Sequence, residues 1–294
     1  MRRLCIFLLL ATASLLIPAL PNVRAATIDD VILHYKFDDV SGAAFADSGI
    51  NGNHATLYRF LTYAELPAID ASHAMGGLGS PFDGALFVGT RNISDVSHEL
   101  MIDVPASTAL PGTGDNFAVS FWLRVANWST SWGIVGAYKL NGLDWVIGTH
   151  NTAKGLMITS GDANASGDPV YSVDCVAAGL LDNEFAHFVV QFEGTAGITG
   201  VYVDGISKAD SNTTAIPWWG NEDEGFVLGG RVLSARTFSG VDAVLDDFAI
   251  IPGVVNQTQV ESMRTLGVAG SGVTTSMHYT LDEETGSTIG DSSG

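Results

Sequence analysis

The sequence predicts an all-β protein that folds as a two-sheet antiparallel sandwich, with one short helix near the C-terminal end of the domain. In the stretch from Phe117 to Val125, large apolar residues take every second position, which is the period of a half-buried strand. Similar runs bounded by turn residues are HFVVQFEG from His187, GVYVDG from Gly200, GFVLGG from Gly225 and VLDDFAII from Val244. No amphipathic helical period lasts beyond about two turns before the final segment, so two packed sheets are favoured over helical folds.

The one predicted helix follows the last of these strands. Asn256 is placed to cap the segment QTQVESMRTLGV, in which Val260, Met263 and Leu266 share one helical face. Gly267 is the expected stop.

The N-terminus has the pattern of a secretory signal peptide over residues 1–25. Arg2 and Arg3 precede an apolar run from Cys5 to Leu20, and small residues flank a cleavage position next to Ala25. The run is shorter than the roughly 20 residues that a membrane-spanning helix needs. We therefore expect a secreted protein, extracellular or at a cell surface, that starts near Ala26 and does not insert into membranes.

The chain is strongly acidic. Its net charge is −19, and removal of the three arginines of residues 1–25 leaves 10 basic against 32 acidic residues, or −22. Such a charge disfavours nucleic acid and anionic membranes as partners, while neutral polymers and divalent cations remain possible. With 46% hydrophobic residues the chain is nevertheless globular.

Cysteine adds no cross-link to this fold. Cys5 leaves with the signal peptide, so Cys175 has no intrachain partner. Cys175 lies in the apolar stretch VYSVDCVAAG, which favours a buried and inert thiol over a nucleophile.

The chain repeats its own beginning. HYKFDDVSGAAFADSG from His34 matches HYTLDEETGSTIGDSS from His278 without gaps, and the apolar strand position, the acidic pair and the turn glycine coincide. We therefore predict a domain at 26–269, a linker at 270–277 that includes Gly270-Ser271-Gly272, and the first strand of a truncated second copy at 278–294. Because a lone strand buries no apolar face, residues after about 272 are expected to be disordered.

Four stretches resemble, in order, the laminin G-like (LamG) jelly-roll domains of the concanavalin A-like lectin/glucanase superfamily. They are HYKFDDVSGAAFADSGINGNHATL from His34, DNFAVSFWLRV from Asp115, EFAHFVVQFEG with GVYVDG, and FSGVDAVLDDFAIIPGVVNQTQVESM from Phe238. The resemblance covers roughly residues 30 to 268 and departs from the family at Ile50, Ala55 and the long segment 58–101. It implies a jelly-roll topology in which the first and last strands pair. It also implies a binding module for carbohydrates or extracellular proteins, often present in several copies.

A structural calcium ion is the most specific site prediction from the sequence. Ca²⁺ takes six to eight oxygen ligands, and the predicted donors are Asp38, Asp47, Asn51, Asn53, Asp246 and Asp247, with Asp39 beside the first. Pairing of the first and last strands in the resembled fold would bring the two acidic pairs together. The alternative is that these acidic and amide side chains cap turns in contact with water.

Aromatic residues in loops are candidates for sugar recognition, because a tryptophan face stacks on a pyranose ring while amides and acids bond the hydroxyls. The predicted sugar-binding residues are Trp128, Trp132, Trp218, Trp219 and Asn221. The alternative is that these aromatic rings belong to the core.

The sequence favours a non-catalytic module. Glycoside hydrolysis needs two carboxyls held across the scissile bond, whereas the nearest acidic cluster, Glu222-Asp223-Glu224, is contiguous in a loop. His34 and His187 are expected to be structural. The predicted partner is an extracellular polysaccharide or glycoprotein, in a longer multi-repeat protein. A protein adhesion or matrix module that binds surface proteins, and a divergent sandwich hydrolase, are the alternatives.

Overall fold

A computed structural model describes residues 56–59, 64–65, 86–93, 96–104, 111–112, 114–131, 133–138, 145–160, 171–208, 225–229, 231–233, 236–238, 243–273 and 277–279. The first nine strands are β1 (Thr56–Arg59), β2 (Ala64–Glu65), β3 (Leu86–Ile93), β4 (Val96–Val104), β5 (Asn116–Val125), β6 (Gly133–Tyr138), β7 (Trp145–His150), β8 (Gly155–Ser160) and β9 (Tyr171–Asp174). The rest are β10 (Phe185–Glu193), β11 (Gly197–Val203), β12 (Ile206–Lys208), β13 (Phe226–Leu228), β14 (Arg231–Leu233), β15 (Arg236–Phe238), β16 (Ala243–Pro252), the helix α1 (Gln257–Gly270) and β17 (Met277–Tyr279).

The strands form two antiparallel layers. The first layer runs in the order β12-β11-β10-β5-β16, and β17 pairs with β16. The second runs β4-β13-β6-β7-β8-β9; β1 pairs with β4 and β2 pairs with β1, while β14 and β15 form a separate hairpin. Strand β3 pairs with both β16 and β4 and so connects the layers. The predicted all-β jelly-roll sandwich is confirmed.

The main core lies between the layers. Every second residue of β5, from Phe117 to Val125, is fully buried in it, as the alternation predicted. Aromatic rings link the strands: Phe117 stacks on Phe192 with centroids 4.5 Å apart, and Phe248 of the first layer lies 5.6 Å from Phe226 of the second. Such ring pairs add to the free energy gained from burial.

Cys175 belongs to this core. It is fully buried, and burial raises the pKa of its thiol to about 12. The prediction of a buried thiol is confirmed, and because nearly all of it is protonated at neutral pH it is a poor nucleophile.

Helix α1 packs on the outer face of the first layer. Asn256 caps it as predicted: its Oδ1 accepts the Gln259 N–H at 3.0 Å, and Gln259 Oε1 accepts the Asn256 N–H at 2.9 Å. Val260 and Met263 are fully buried in a second apolar cluster with Ala118, Val189, Ala249, Ile251, Val255 and Val268.

Leu266, the third residue of the predicted apolar face, is 59% exposed and lies outside the second cluster. Gly267 takes a left-handed φ of 71° and breaks the regular helix there, as predicted. The redirected chain then buries Val268 in the second cluster.

Of the residues after 272, the structure describes 273 and 277–279. Ser271 Oγ bonds to the Val268 carbonyl, Val273 packs on the second cluster, and Met277–Tyr279 pairs with β16. The predicted signal peptide and most of the predicted second copy lie outside the described residues. Within the described part of the chain, no helix is long and apolar enough to span a membrane.

Candidate functional site

A row of polar residues crosses the outer face of the first layer. His187 of β10 lies opposite Trp122 of β5, and Trp122 lies opposite Asp246 of β16. Because side chains alternate between the faces of a strand, these residues lie on the face opposite the main core. Ser120, two residues along β5, lies on the same face between Val189 and Ala249.

The row is held together by a serine–histidine hydrogen bond. Ser120 Oγ lies 3.0 Å from His187 Nε2, and the His187 ring is 5.2 Å from the Trp122 ring. Burial lowers the pKa of His187 to about 4, against the opposing attraction of Asp247. His187 is therefore neutral at physiological pH.

The backbone of His187 is anchored to the tip of a hairpin. Asp204 Oδ1 accepts the His187 N–H at 2.9 Å, and the Asp204 N–H donates to the His187 carbonyl at 2.8 Å. Asp204 and Gly205 form the β11–β12 turn with left-handed φ angles of 49° and 76°, as expected for a two-residue hairpin loop. Gln257 Nε2 donates to the Gly205 carbonyl, so helix α1 binds the same turn.

The acidic pair on β16 lies beside this row at a β-bulge. The register with β5 shifts between Asp246 and Ala249, and Asp247 takes a left-handed φ of 47°. Asp247 Oδ2 accepts the Val268 N–H at 2.8 Å, just after the helix break. Asp246 and Asp247 are 0% and 2% exposed, so both predicted metal-ligand candidates on this strand are buried.

Ser120 and His187 are residue types that act as nucleophile and base in enzymes, but here they are closed to a substrate. A serine bonded to a neutral histidine is the arrangement of an activated hydroxyl. Ser120 is 0% and His187 1% exposed, so neither side chain reaches solvent. The prediction that His187 is structural is confirmed, and we describe the row as a buried polar network.

Trp128 is corrected from a sugar-binding to a core residue. Its backbone N–H donates to Asp182 Oδ1 at 2.9 Å in the turn after β5, but its ring is fully buried, 5.8 Å from the Phe188 ring. A ring that is closed off on both faces cannot stack on a sugar. Its position near a loop in the sequence did not predict this, because the contacts of the turn include the distant Asp182.

The other predicted site residues lie outside the described residues. They are the sugar-binding candidates Trp132, Trp218, Trp219 and Asn221, and the calcium candidates Asp38, Asp47, Asn51 and Asn53. Within the described ranges, no group of three or more His, Cys, Asp or Glu side chains is placed to hold a metal ion. The calcium and sugar sites therefore stay predictions.

Sequence reasoning missed the polar network itself. Ser120 and Gln191 are polar residues on outward positions of strands that are otherwise apolar, and Gln191 Nε2 donates to the Val255 carbonyl at 2.6 Å. The signal available in the sequence was the presence of Ser120 and Gln191 within strands that are otherwise apolar. The contact of Ser120 with His187 depends on cross-strand register, which local periodicity does not fix.

The fold matches a known protein family. Residues 101–261, more than half of the chain, match the laminin G-type model of the concanavalin A-like lectin/glucanases superfamily. The chain belongs to this superfamily. The matched segment runs from within β4 to the start of helix α1, and so includes the strands that carry the polar network.

Solved structures with this fold include toxin binding domains. The chain is similar to the binding domain of botulinum neurotoxin serotype D/C, with 12% identity and a TM-score of 0.52, and to a mutant of the HCR D/C protein, with 12% identity and a TM-score of 0.53. Each comparison covers 81% of this chain and 52% of the other, so this chain spans about half the length of those structures. No curated protein matches.

Proposed function

We propose that this chain is a secreted, non-catalytic module that binds extracellular carbohydrate. Membership of the concanavalin A-like lectin/glucanases superfamily over residues 101–261 is the observation that carries the proposal. The buried state of Ser120 and His187 supports the non-catalytic part, since this pair is closed to substrates. The charge of −19 over the whole chain favours a neutral polymer over nucleic acid or an anionic membrane surface.

The proposed sugar contacts lie in the segment between β12 and β13. Trp218 and Trp219 are adjacent there, and Asn221 follows them. One aromatic face would cover the C–H side of a pyranose ring, and the amide would bond its hydroxyls. Trp132, between β5 and β6, is the other proposed aromatic contact.

We also propose that calcium stabilises the fold through Asp38, Asp47, Asn51, Asn53, Asp246 and Asp247. The burial of Asp246 and Asp247 side by side supports this, because adjacent carboxylates repel each other and a bound cation would offset that repulsion. The test is independent of sugar: calcium should raise the melting temperature of the mature chain, and Asp246→Asn should weaken that rise. An unchanged melting temperature in calcium and EDTA would remove the ion from the proposal.

The sugar proposal is tested with loop variants. Once a polysaccharide ligand is found, Trp218→Ala and Trp219→Ala are compared with Leu181→Ala, which truncates an exposed apolar side chain elsewhere on the surface. Loss of a stacked aromatic ring costs about 1 kcal/mol or more, so at least one tryptophan variant should bind several-fold more weakly at unchanged melting temperature. Equal affinity in all three proteins would place the sugar contacts elsewhere.

The proposed setting is a longer protein with several such modules, since the sequence from His278 repeats that from His34. Two weak modules on one chain gain avidity without new contacts, which suits polymeric ligands. Glycoproteins and surface or matrix proteins are the other partners to test. Binding of glycoproteins or surface proteins by a chain that binds no polysaccharide would favour the adhesion hypothesis. Release of sugar from a polysaccharide would favour the hydrolase hypothesis.

A further inference from the structure

We propose that the loop between β9 and β10, residues 175–184, is a docking site for a protein segment that carries aliphatic and basic side chains. The proposal concerns a different kind of ligand from the sugar and does not depend on carbohydrate binding. It rests on three features of this β9–β10 loop: its exposed aliphatic side chains, its hydrogen bonds and the charges around it.

The β9–β10 loop presents aliphatic side chains to water. Val176 is 43% and Leu181 59% exposed, and Ala177 between them is exposed as well. Leu180 packs partly buried against the main core, and a Cβ added at Gly179 would meet no atom within 4 Å, so the tip of the loop faces solvent. Single apolar side chains scattered over a surface are ordinary, whereas several in one place indicate an interaction site.

Hydrogen bonds bring these side chains into one compact turn. The Leu180 N–H donates to the Cys175 carbonyl at 3.0 Å, so the loop closes on itself. Val176 and Leu181 each follow a residue of this bond and therefore lie on the same turn. The Cys175 N–H donates to the Lys154 carbonyl at 3.1 Å, which ties the turn to the β7–β8 hairpin. A surface that is already ordered loses less conformational entropy when it binds.

The charges around the aliphatic tip are mostly negative. The carboxylates of Asp174, Asp182 and Glu184 are exposed at the two ends of the loop, and Lys154 beside it carries the opposing positive charge. Complementary charges speed association and select partners. An aliphatic centre with an acidic rim therefore fits a partner that places lysine or arginine around its own apolar side chains.

The same features disfavour the other occupants of such a surface. A second copy of this chain would bring the same acidic rim, and an anionic membrane would be repelled in the same way. A pyranose ring stacks on aromatic faces, whereas the exposed side chains here are the aliphatic Val176 and Leu181. A protein segment with aliphatic and basic side chains is the occupant that remains.

Random peptides displayed on phage test the proposal, since no partner has to be known in advance. Peptides are selected on the folded mature chain, and the enriched sequences are synthesised with a fluorescent label. We expect them to combine aliphatic residues with lysine or arginine. Their Kd for wild type and variants is then measured by fluorescence anisotropy, and thermal unfolding checks that each variant stays folded.

The variants separate the β9–β10 loop from the rest of the surface. Val176→Ser with Leu181→Ser should weaken peptide binding by about ten-fold or more, because the aliphatic side chains that lose contact with water on binding are gone. Leu266→Ser is the matched control, because Leu266 is also 59% exposed but lies on helix α1, and it should bind as wild type does. Glu184→Lys should weaken binding several-fold through charge repulsion. Leu181→Ser alone serves if the double variant is unstable.

Several results would overturn the inference. They are a selection that enriches no peptide, enriched peptides that are acidic or lack aliphatic residues, and equal affinities of the loop variants and Leu266→Ser. Binding of phosphatidylcholine vesicles that is lost in the loop variants, with no peptide selected, would assign the loop to a lipid surface instead. None of these results depends on whether the chain binds polysaccharide.

Discussion

At the scale of single residues, His187 shows how burial decides chemistry. Its ring accepts or donates a bond to Ser120 at 3.0 Å, yet desolvation lowers its pKa to about 4. A residue that would titrate near neutrality in water is thereby held neutral. The same pair on an exposed surface would suggest catalysis, whereas here it is buried and joins two neighbouring strands.

The burial of His187 predicts a pH dependence of stability. Burial lowers the pKa of His187 in the folded protein from its ordinary value of 6.5 to about 4. The contribution of the neutral ring to stability is therefore complete above pH 6.5 and is lost as the pH falls from 6.5 through 4. About 3 kcal/mol should disappear across this window at 1.36 kcal/mol per pKa unit. Urea unfolding of wild type and His187→Gln at several pH values measures the difference. Equal pH slopes for both proteins would contradict the assignment.

Trp128 marks the limit of residue-level prediction. Its position after a strand and before a turn favoured a loop ring, but Asp182, 54 residues away, holds its backbone so that the ring enters the core. Exposure of a large aromatic depends on such long-range contacts. The burial of Cys175, in contrast, followed from its apolar neighbours in the sequence.

At the scale of elements, local patterns predicted strands β5, β10 and β16 and the helix, because each carries its own period or cap. They did not predict the bulge at Asp247–Phe248. A bulge is defined by two residues opposing one on the partner strand, here Phe121 of β5, and the sequence of β16 alone does not contain the partner. The polar network beside the bulge was missed for the same reason.

Strand β8 begins at a position where only glycine fits. A Cβ on Gly155 would touch the Val173 carbonyl oxygen and lie 2.5 Å from the Cys175 nitrogen, and backbone atoms cannot move aside cheaply. Gly155→Ala should therefore lower the free energy of unfolding by about 3 kcal/mol or more, as overpacking against backbone does. Gly200→Ala is the control, because its nearest contact is an ordinary 3.5 Å. Thermal unfolding measures the stability of both variants. Equal stability would show that β9 moves aside to admit the added methyl group.

The cap of helix α1 is a second test at this scale. Asn256→Ala removes the acceptor for the Gln259 N–H and should cost about 1 kcal/mol in the free energy of unfolding. Asn256→Asp keeps a capping oxygen and should be close to wild type. Denaturant unfolding compares the three proteins, and a matching loss in both variants would mean that the cap is not the cause.

At the scale of the whole molecule, the buried polar network is closed to ligands, so the proposed recognition falls to segments between the strands. Polar residues of the strands, such as Ser120, His187 and Asp246, lie on the outer face of the first layer and are buried there. The sequence predicted the sandwich because strand period and turn spacing are local, while a ligand site formed by several loops depends on how the loops converge. The proposed sugar contacts at Trp218, Trp219 and Asn221 belong to this second class.

Binding of the mature chain to a broad polysaccharide array, in calcium and again in EDTA, tests the central claim most directly. We predict saturable binding to a restricted set of glycans in calcium, weaker in EDTA, with no sugar released. A chain that unfolds cooperatively, and is therefore folded, but binds no polysaccharide in either buffer would contradict the assignment as a carbohydrate-binding module.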